Sequence, residues 1–371
     1  MMKILVTGGA GFIGSFLVDK LIEKDHDVRI FDNLETQVHH GEVPQWLNKE
    51  VEFIKGDICN YLELEKVIED REIIFHLAAM VGVGQSQYQI KRYVDVNTGG
   101  TANLLDILVN SEHDVKKLII ASSMSIYGEG SYKCENCGII EPELRSEEQM
   151  KNGDWELYCP KCGGILKPIP TTEEKPLQSN SIYAITKKDQ EEMCLNIGKT
   201  YGIPTVALRY FNVFGPRQSL SNPYTGVVAI FLSRIKNNHS PLIFEDGKQS
   251  RDFISVHDIT QANILAMEKS AADYKSFNVG AGRQMTILDI ANTLIELYNS
   301  DVKPKVINKF RKGDVRHCFA DISKIKEKLG FEPKISFIDG MKELMHWSEG
   351  VRAEDKSEEA TQELREKGLL D

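Results

Sequence analysis

Residues 4–14 read ILVTGGAGFIG, and this stretch decides the fold. An apolar run typical of a buried strand ends in three glycines, Gly8, Gly11 and Gly14, and apolar residues at helical spacing follow up to residue 25. Glycines permit a tight turn and let a ligand approach the backbone, while the start of the next helix offers unpaired N–H groups. The stretch therefore predicts a strand, a turn and a helix that can hold the diphosphate of a dinucleotide.

The alternation of strand and helix continues along the chain beyond this first unit. Strand-like runs at 27–33, 51–58, 73–80 and 116–123 alternate with segments of helical periodicity. Repeated βα units build a parallel sheet that has helices on both faces. We therefore expect an α/β fold with a doubly wound parallel sheet of the Rossmann type.

One interruption in this pattern predicts the domain organisation. In residues 131–170 Gly, Pro, Cys and charged residues replace the periodic apolar residues, and the helical pattern resumes after them, so we expect an insertion there. Residues 1–211 are then the dinucleotide-binding domain, and 212–350 a smaller α/β substrate domain, part of which could return to the main sheet. The charged tail, 351–371, is helical or frayed, and no function is assigned to it.

Composition narrows the class of partner. The chain of 371 residues carries a formal charge of -10, which disfavours binding to nucleic acid or to an anionic membrane surface. No apolar run approaches the roughly 18 residues of a membrane span, and the first glycines follow the start without a signal peptide. We expect a cytoplasmic protein with a small-molecule ligand.

Acidic residues at two strand ends indicate which dinucleotide binds. Asp32 ends the second strand about 20 residues after the glycines, where a carboxylate can hold ribose hydroxyls. It would repel a 2′-phosphate, and no arginine follows in FDNLETQ, so NAD is favoured over NADP. Asp57, at the end of the third strand, could hydrogen-bond the adenine or act as a helix N-cap.

Three residues form a candidate catalytic set. Tyr183 and Lys187 are four apart on a predicted helix and share one face, and a nearby ammonium favours the ionised form of a phenol. The strand 116–123 ends in Ser122 and Ser123, at the carboxyl edge of the sheet where ligands bind. The Ser123 hydroxyl can bond to the oxygen that Tyr183 deprotonates.

Together these features resemble the extended short-chain dehydrogenase/reductase family, and within it the nucleotide-sugar epimerases and dehydratases. The resemblance covers nearly the whole chain apart from 131–170. The motifs that carry it are TGGAGFIG, DN, GDI, HLAA, VNTGGT, SSMSIYG, YAITK, RYFNVFGPRQ, RDFISVHDI and KGDVRH.

The resemblance implies a role for each matching residue. Tyr183 would be the base, Lys187 would hold the nicotinamide ribose, and Ser123 would bind the reacting hydroxyl. The expected NAD-binding residues are Gly8, Gly11, Phe12, Ile13, Gly14, Asp32, Asn33, Asp57, Ile58, Leu77, Ala78, Ala79, Asn97, Ser122, Tyr183, Lys187 and Tyr210. The expected substrate-binding residues are Val81, Gly82, Val83, Gly84, Gln85, Ser123, Ser125, Asn212, Arg251 and Arg316, with Asn212 and the two arginines on the nucleotide diphosphate.

The residues after Ser123 bear on the reaction. Enzymes of this family open by forming a keto sugar, and the 4,6-dehydratases then use an Asp–Glu pair at the positions that Met124 and Ser125 occupy here. The simplest reaction is therefore 4-epimerisation by an NAD-dependent enzyme, with 4-ketoreductase and 4,6-dehydratase as alternatives. The insertion resembles that of dTDP-L-rhamnose 4-epimerases, which puts dTDP-L-rhamnose first and leaves UDP-glucose and UDP-N-acetylglucosamine open.

Four cysteines in the insertion predict a structural zinc site. Cys134 and Cys137 form one CxxC pair and Cys159 and Cys162 another, each followed by glycine. Two such knuckles supply four thiolates to one tetrahedral zinc ion and leave no open position for a substrate. Disulfide bonds are the alternative and are rare in a reducing compartment.

The insertion is not basic, since residues 131–170 contain five Lys and Arg against seven Asp and Glu. We therefore expect it to border and shape the sugar site and not to bind nucleic acid. A non-catalytic NAD-binding scaffold whose zinc ribbon recruits a partner is the alternative from another class of function. The family resemblance further implies a homodimer, formed by a four-helix bundle of the helix at 97–111, the helix that carries Tyr183 and their copies.

Overall fold

A computed structural model describes residues 1–39 and 41–370. Its strands are β1 (Lys3–Thr7), β2 (Asp27–Asp32), β3 (Glu52–Lys55), β4 (Ile73–His76), β5 (Lys117–Ser123), β6 (Ser131–Cys134), β7 (Gly138–Ile140), β8 (Lys167–Ile169), β9 (Thr205–Tyr210), β10 (Asn212–Phe214), β11 (Leu242–Ile243), β12 (Ser250–Arg251), β13 (Phe253–Ser255), β14 (Lys275–Val279), β15 (Met285–Thr286), β16 (Lys305–Val306) and β17 (His317–Cys318).

Its helices are α1 (Phe12–Ile22), α2 (Thr36–His39), α3 (Tyr61–Ile68), α4 (Val83–Ser86), α5 (Ile90–Tyr93), α6 (Gly100–Asn110), α7 (Glu147–Lys151), α8 (Ile182–Tyr201), α9 (Val227–Lys236), α10 (Val256–Glu268), α11 (Ile287–Leu297), α12 (Ser323–Leu329), α13 (Phe337–Glu349) and α14 (Ser357–Glu366). A π-helical segment, Val94–Gly99, joins α5 to α6. Among the described residues, no helix combines the length and the apolar character that crossing a bilayer requires.

Seven strands form one parallel sheet, in the order β14-β9-β5-β4-β1-β2-β3. One face of the sheet packs on α1, α10 and α12, and the other on α3, α6 and α8, through fully apolar clusters. The central strands β4, β5 and β9 are buried on both faces, because β-branched and other apolar residues predominate in them, whereas the edge strand β3 is more exposed. The predicted doubly wound α/β fold is confirmed.

The last strand of this sheet comes from late in the chain. β14 pairs with β9 over its whole length, although α9, α10 and the short strands β10–β13 lie between the two in sequence. Between β9 and the C-terminus, α9, α11 and α13 share a second apolar core that includes Phe214, Leu232 and Met341. This second core lies beside the carboxyl ends of the main strands and forms the far wall of the site.

The cysteine-rich insertion has a small sheet of its own. β6 pairs in antiparallel fashion with β7 and β8, and its core holds Tyr132, Ile140, Leu157 and Leu166 together with cysteines. So few apolar side chains make a marginal core, which is the situation in which small modules depend on a metal.

Candidate functional site

The glycine-rich turn between β1 and α1 forms the floor of a first cavity of about 330 Å³. Gly8 has a φ of +70°, and a Cβ there would lie 2.8 Å from the Ala78 nitrogen. A Cβ at Gly14 would lie 2.3 Å from the Gly8 carbonyl oxygen, so both positions require glycine. Gly11 precedes α1 without a side-chain cap, which leaves the first N–H groups of the helix to a ligand.

Asp32 lies at the end of β2 beside this turn. Its carboxylate accepts hydrogen bonds from the backbone N–H groups of Ala10 at 3.1 Å and Leu34 at 2.9 Å. Burial raises the pKa of Asp32, and these two hydrogen bonds oppose that shift. Among the described residues that line the first cavity, Lys187 is the single Lys or Arg, so a 2′-phosphate would meet no guanidinium there. The lining therefore fits NAD better than NADP.

Most of the predicted cofactor residues meet in the first cavity. Its lining includes Gly8, Gly11, Phe12, Ile13, Gly14, Asp32, Asn33, Ile58, Leu77, Ala78, Ala79, Ser122, Tyr183, Lys187 and Tyr210. Two predicted residues do not line it. The Asp57 carboxylate accepts a hydrogen bond from the Asn33 side chain at 3.0 Å, and Asn97 is fully buried.

Asn97 supports the cavity wall from behind. Its side chain accepts from the Met80 N–H at 2.7 Å and donates to the Met80 carbonyl at 3.1 Å. The same amide group donates to the Thr186 hydroxyl on α8 at 3.0 Å. In this structure the contacts of Asn97 are therefore with the loop after β4 and with α8, and its predicted contact with NAD stays a prediction.

Ser123, Tyr183 and Lys187 lie together at the point where β5 meets α8. Ser181 caps α8 by accepting the Ala184 N–H at 3.1 Å, and the Tyr183 N–H donates to the Ser86 hydroxyl at 3.0 Å. These two bonds fix the start of the helix against the loop after β4. The Ser123 and Tyr183 side chains both line the first cavity.

Burial governs the protonation of this set. It raises the pKa of the Tyr183 phenol, and the hydrogen bond with Ser123 lowers it in part. It lowers the pKa of Lys187 to about 7, and the Lys187 Nζ donates to the Ala121 carbonyl at 2.9 Å. Burial thus disfavours the ionised form of both side chains. The lowering of the Tyr183 pKa by the Lys187 ammonium stays a prediction.

A second cavity, of about 320 Å³, adjoins the first, and Thr225 lines both. Of the predicted substrate residues, it contains Gly82, Val83, Gly84, Ser125, Asn212 and Arg251, while Val81 and Ser123 line the first cavity. Gln85 lines neither cavity. Its side chain exchanges hydrogen bonds with that of Gln37, at 3.1 and 3.2 Å, and supports the loop.

Arg316 lies apart from the other predicted substrate residues. Its side chain is fully buried and lines neither cavity. The guanidinium contacts the carboxylates of Glu156 at 2.7 Å, Asp246 at 2.7 Å and Glu245 at 2.9 Å. In this structure it therefore belongs to a buried ion cluster with three acidic partners, and its contact with a diphosphate stays a prediction.

Several residues of the second cavity had no distinctive sequence signal. Arg234 and Phe231 come from α9, Phe244 and Gln249 from the loop beyond β11, and Tyr224 from the loop before α9. We assigned none of these residues to the site from the sequence, because they come from separate segments that only the fold brings together. The lining residues from α14 and Arg311 were likewise not assigned, and Lys312 begins the KGDVRH motif without having been given a role.

The four insertion cysteines come together as predicted from the two CxxC pairs. Their Sγ atoms all lie within 4.8 Å of one another. Burial would raise the pKa of Cys159, but the N–H groups of Lys161 and Cys162 lower it to about 7. Four convergent thiols with N–H groups turned to a sulfur form a donor set that suits zinc.

Comparison with known proteins gives the family. The model of the NAD dependent epimerase/dehydratase family matches residues 4–147, and that of GDP-mannose 4,6 dehydratase matches residues 162–344. The chain is 34% identical to the dTDP-L-rhamnose 4-epimerase of Burkholderia thailandensis, over 93% of this chain and 94% of that protein.

Solved structures agree. The UDP-glucose 4-epimerase of Thermotoga maritima with UDP-glucose is 34% identical and has a TM-score of 0.77, with 94% of this chain and 99% of that one covered. A UDP-glucuronic acid 4-epimerase mutant of Bacillus cereus, in complex with UDP-4-deoxy-4-fluoro-glucuronic acid and NAD, is 28% identical. Its TM-score is 0.76, with 95% of this chain and 100% of that one covered.

These matches confirm the expected NAD-dependent enzyme and disfavour the non-catalytic scaffold. The glycine turn, Asp32, Ser123, Tyr183 and Lys187 all line one cavity. The chain belongs to the NAD-dependent epimerase/dehydratase family of nucleotide-sugar enzymes.

Proposed function

We propose that this enzyme is a nucleotide-sugar 4-epimerase that oxidises C4 of the sugar transiently and reduces it again on the opposite face. The observation that carries the proposal is that Ser123, Tyr183 and Lys187 line the first cavity together, directly before Met124 and Ser125, which line the second. NAD, when bound in the first cavity, supplies the hydride acceptor and donor for C4. The sugar would then lie between Ser123 and the loop that contains Gly82 and Gly84.

The chain's own residues handle the proton. Tyr183 would take the proton of the C4 hydroxyl as the hydride leaves, and would return it when the hydride comes back. Ser123 would hold the same sugar oxygen through its hydroxyl. Because the pKa of Lys187 is about 7, its ammonium and neutral amine forms have similar free energies near neutral pH. A small change in its surroundings can therefore change its charge.

The absence of further acid–base groups favours epimerisation over dehydration. Among the described residues that line the two cavities, the carboxyl groups are Asp32, Glu35 and Asp314. Asp32 lies at the glycine turn, while Glu35 and Asp314 are ion-paired with Arg92 and Arg311. Met124 and Ser125 offer no carboxyl group next to Ser123, so no group is placed to move protons at C5 and C6. A 4-ketoreductase would use the same three residues and is the second candidate.

For the substrate we put dTDP-L-rhamnose first. The cysteine-rich insertion resembles that of dTDP-L-rhamnose 4-epimerases, and a relative with that activity in its name is 34% identical along nearly the whole chain. UDP-hexoses are the alternative, because a UDP-glucose 4-epimerase of known structure is equally similar in sequence. In either case Arg251 and Asn212 are the candidates for the diphosphate, since both line the second cavity.

We further propose one structural zinc ion per chain, held by Cys134, Cys137, Cys159 and Cys162. The support is the convergence of the four thiols and the small apolar core around them. Zinc would cross-link the two knuckles and would take no part in the reaction, because all four positions are filled by protein. Free thiols also suit the cytoplasm, which we propose as the location.

A homodimer completes the proposal. Apolar side chains of α6 and α8 line a shallow open groove that is formed by Leu105, Val109, Met193, Ile197 and Tyr201. Tyr201 is 53% exposed, and its ring extends an apolar surface that a second copy could cover.

The test is proton NMR of the purified enzyme with catalytic NAD and a panel of dTDP- and UDP-sugars, starting with dTDP-L-rhamnose. We expect the C4 signals of the epimer to grow to equilibrium without accumulation of NADH. Tyr183→Phe should slow this reaction by about 10² to 10⁴-fold while NAD binding is retained, since it removes only the proton acceptor. Conversion that consumes stoichiometric NADH or NADPH would instead establish the ketoreductase.

A further inference from the structure

The C-terminal tail lies along the second cavity. Its helix, α14, presents Ala360 and Leu364 to the interior, and both are at least nine-tenths buried. The opposite side of α14 is charged and exposed, as at Glu359. A helix this polar gains little by folding alone, so its position depends on the surface that it covers.

Polar contacts fix the tail to three separate parts of the cavity rim. The Asp355 carboxylate is ion-paired with Arg234 of α9 at 3.2 Å, and both side chains are 5% exposed. Glu363 accepts a hydrogen bond from the Tyr224 hydroxyl. The Leu369 carbonyl accepts the Lys312 N–H at 3.0 Å. The tail therefore joins parts of the rim that are far apart in sequence.

The inner side of α14 is continuous with the predicted sugar loop. A Cβ built on Gly84 would lie 3.3 Å from a methyl carbon of Leu364, so the Leu364 side chain occupies the space beside Gly84 that a larger residue there would need. Ala360, Leu364 and the α9 residues Ile230 and Phe231 line the same cavity. Together these four side chains form an apolar part of the cavity wall, the kind of surface on which a flat ring packs.

The same cavity also contains an unused hydrogen-bond acceptor. The Gln249 amide nitrogen donates to the Phe244 carbonyl at 3.0 Å, which fixes the orientation of the amide. Its oxygen is buried and has no partner among the described residues. A buried acceptor without a partner is costly and is satisfied by a ligand that brings a donor, such as the ring N–H of uracil or thymine.

We propose that α14 forms part of the nucleoside-binding wall of the second cavity, where Ala360 and Leu364 pack on a pyrimidine nucleoside diphosphate. The proposal rests on the nucleotide-sugar activity proposed above and extends it to a segment outside the matched family models, which end at residue 344. Because the contact is with the nucleoside and not with the sugar, it contributes equally before and during the reaction. Loss of the contact should therefore raise KM and leave kcat unchanged.

The experiment uses the full-length chain saturated with NAD. Binding of UDP and dTDP is measured by calorimetry, and KM and kcat with the substrate found by NMR. Leu364→Ala should raise the Kd of the better nucleotide and the KM about tenfold, with kcat within about twofold, since it removes apolar contact only. Leu364→Met should restore most of the affinity, and Glu359→Ala, on the outer side of α14, should change neither constant.

Ala360→Leu provides a second variant, which fills the same wall and should also weaken nucleotide binding. Melting temperature and NAD affinity verify that each variant is folded. Unchanged Kd for UDP and dTDP in both folded variants would overturn the role of α14 while leaving the epimerase intact. A wild-type chain that binds neither diphosphate would overturn the nucleotide-sugar proposal itself, and α14 with it.

Discussion

Lys187 shows how a single buried residue can oppose folding while serving a reaction. Lys187 belongs to α8, and its buried side chain donates one hydrogen bond to the Ala121 carbonyl, at 2.9 Å. Burial lowers its pKa from 10.5 to about 7. A lowered pKa means that the folded protein disfavours the ammonium relative to the unfolded chain. Lys187 therefore lowers the stability of the folded protein, and its expected contribution is to the reaction, beside Tyr183.

Lys187→Met should increase the stability of the folded protein by an amount that depends on pH. Between pH 7 and 10.5 the unfolded chain binds the lysine proton and the folded chain does not, so the stability of the wild type rises with pH in this window. The melting temperature of the methionine variant relative to the wild type should thus be highest near pH 7 and fall toward pH 10. Differential scanning fluorimetry without added NAD measures this difference.

Lys188→Met is the matched control, because Lys188 lies on the same helix in a partly exposed pair with Glu192. Its melting-temperature difference from the wild type should stay nearly constant over the same pH range. A difference for Lys187→Met that does not vary with pH would contradict the prediction. Epimerisation should be lost in this variant but not in the control.

At the scale of elements, the cysteine-rich insertion is joined to the second cavity from behind. No described residue of 131–170 lines either cavity, so the expected direct shaping of the sugar site is not seen. Instead Arg145 donates to both carboxylate oxygens of Glu245, each at 2.9 Å, and the two side chains are almost fully buried. Glu245 follows Phe244, a lining residue, and has a φ of +52°.

This contact predicts that the metal acts on substrate binding at a distance. The double variant Cys134→Ser, Cys159→Ser should lose its zinc, unfold the small sheet and release Arg145 from Glu245. KM for the nucleotide sugar should rise while NAD affinity is unchanged. Zinc content by mass spectrometry and steady-state kinetics measure the two effects.

Two further variants separate the metal from the contact. Lys161→Ser changes the same knuckle and keeps four thiols, so zinc content and KM should both stay at wild-type values. Arg145→Met should keep zinc but raise KM and lower the free energy of unfolding, since the buried Glu245 carboxylate then keeps only Arg316 of its two arginine partners. A zinc-free variant with normal KM would show that the insertion does not support the wall.

At the scale of the whole molecule, the groove between α6 and α8 predicts the assembly. Ile197→Arg places a charge on this half-buried apolar surface and should convert a dimer to monomers, because a desolvated charge without a partner destabilises an interface. Light scattering after size-exclusion chromatography measures the mass. Asn292→Arg, on the exposed side of α11, is the control and should leave the mass unchanged.

A wild-type mass equal to one chain would contradict the dimer directly. Equal dimer masses for the wild type and Ile197→Arg would instead place the interface elsewhere. NAD binding, which involves neither helix face in the groove, should be retained by both variants.

The sequence predicted those parts of this molecule in which neighbouring residues act together. The glycine turn, Asp32 and the Tyr183–Lys187 pair lie within single strand–helix units, where spacing alone determines position. Arg316 could not be predicted in this way. Its partners come from the insertion and from the loop beyond β11. An arginine in a sequence motif is compatible both with a buried ion cluster and with a phosphate site, because the motif does not show the partners.

The C-terminal tail illustrates the same limit. Its charged composition indicates an exposed segment. The structure shows why Ala360 and Leu364 are spaced one turn apart, since both are buried against the surface beneath the helix. Tertiary contacts, rather than any local motif, give such segments their place.

The late arrival of β14 in the main sheet bears on how the chain is made. β9 has its partner β5 on one side as soon as residues 205–210 are synthesised, but its other edge stays unpaired until residues 275–279 follow. During that interval a nascent chain exposes an apolar sheet edge outside the ribosome, which is a template for aggregation and a target for chaperones. We therefore expect the yield of folded enzyme to be sensitive to the time between the synthesis of β9 and that of β14.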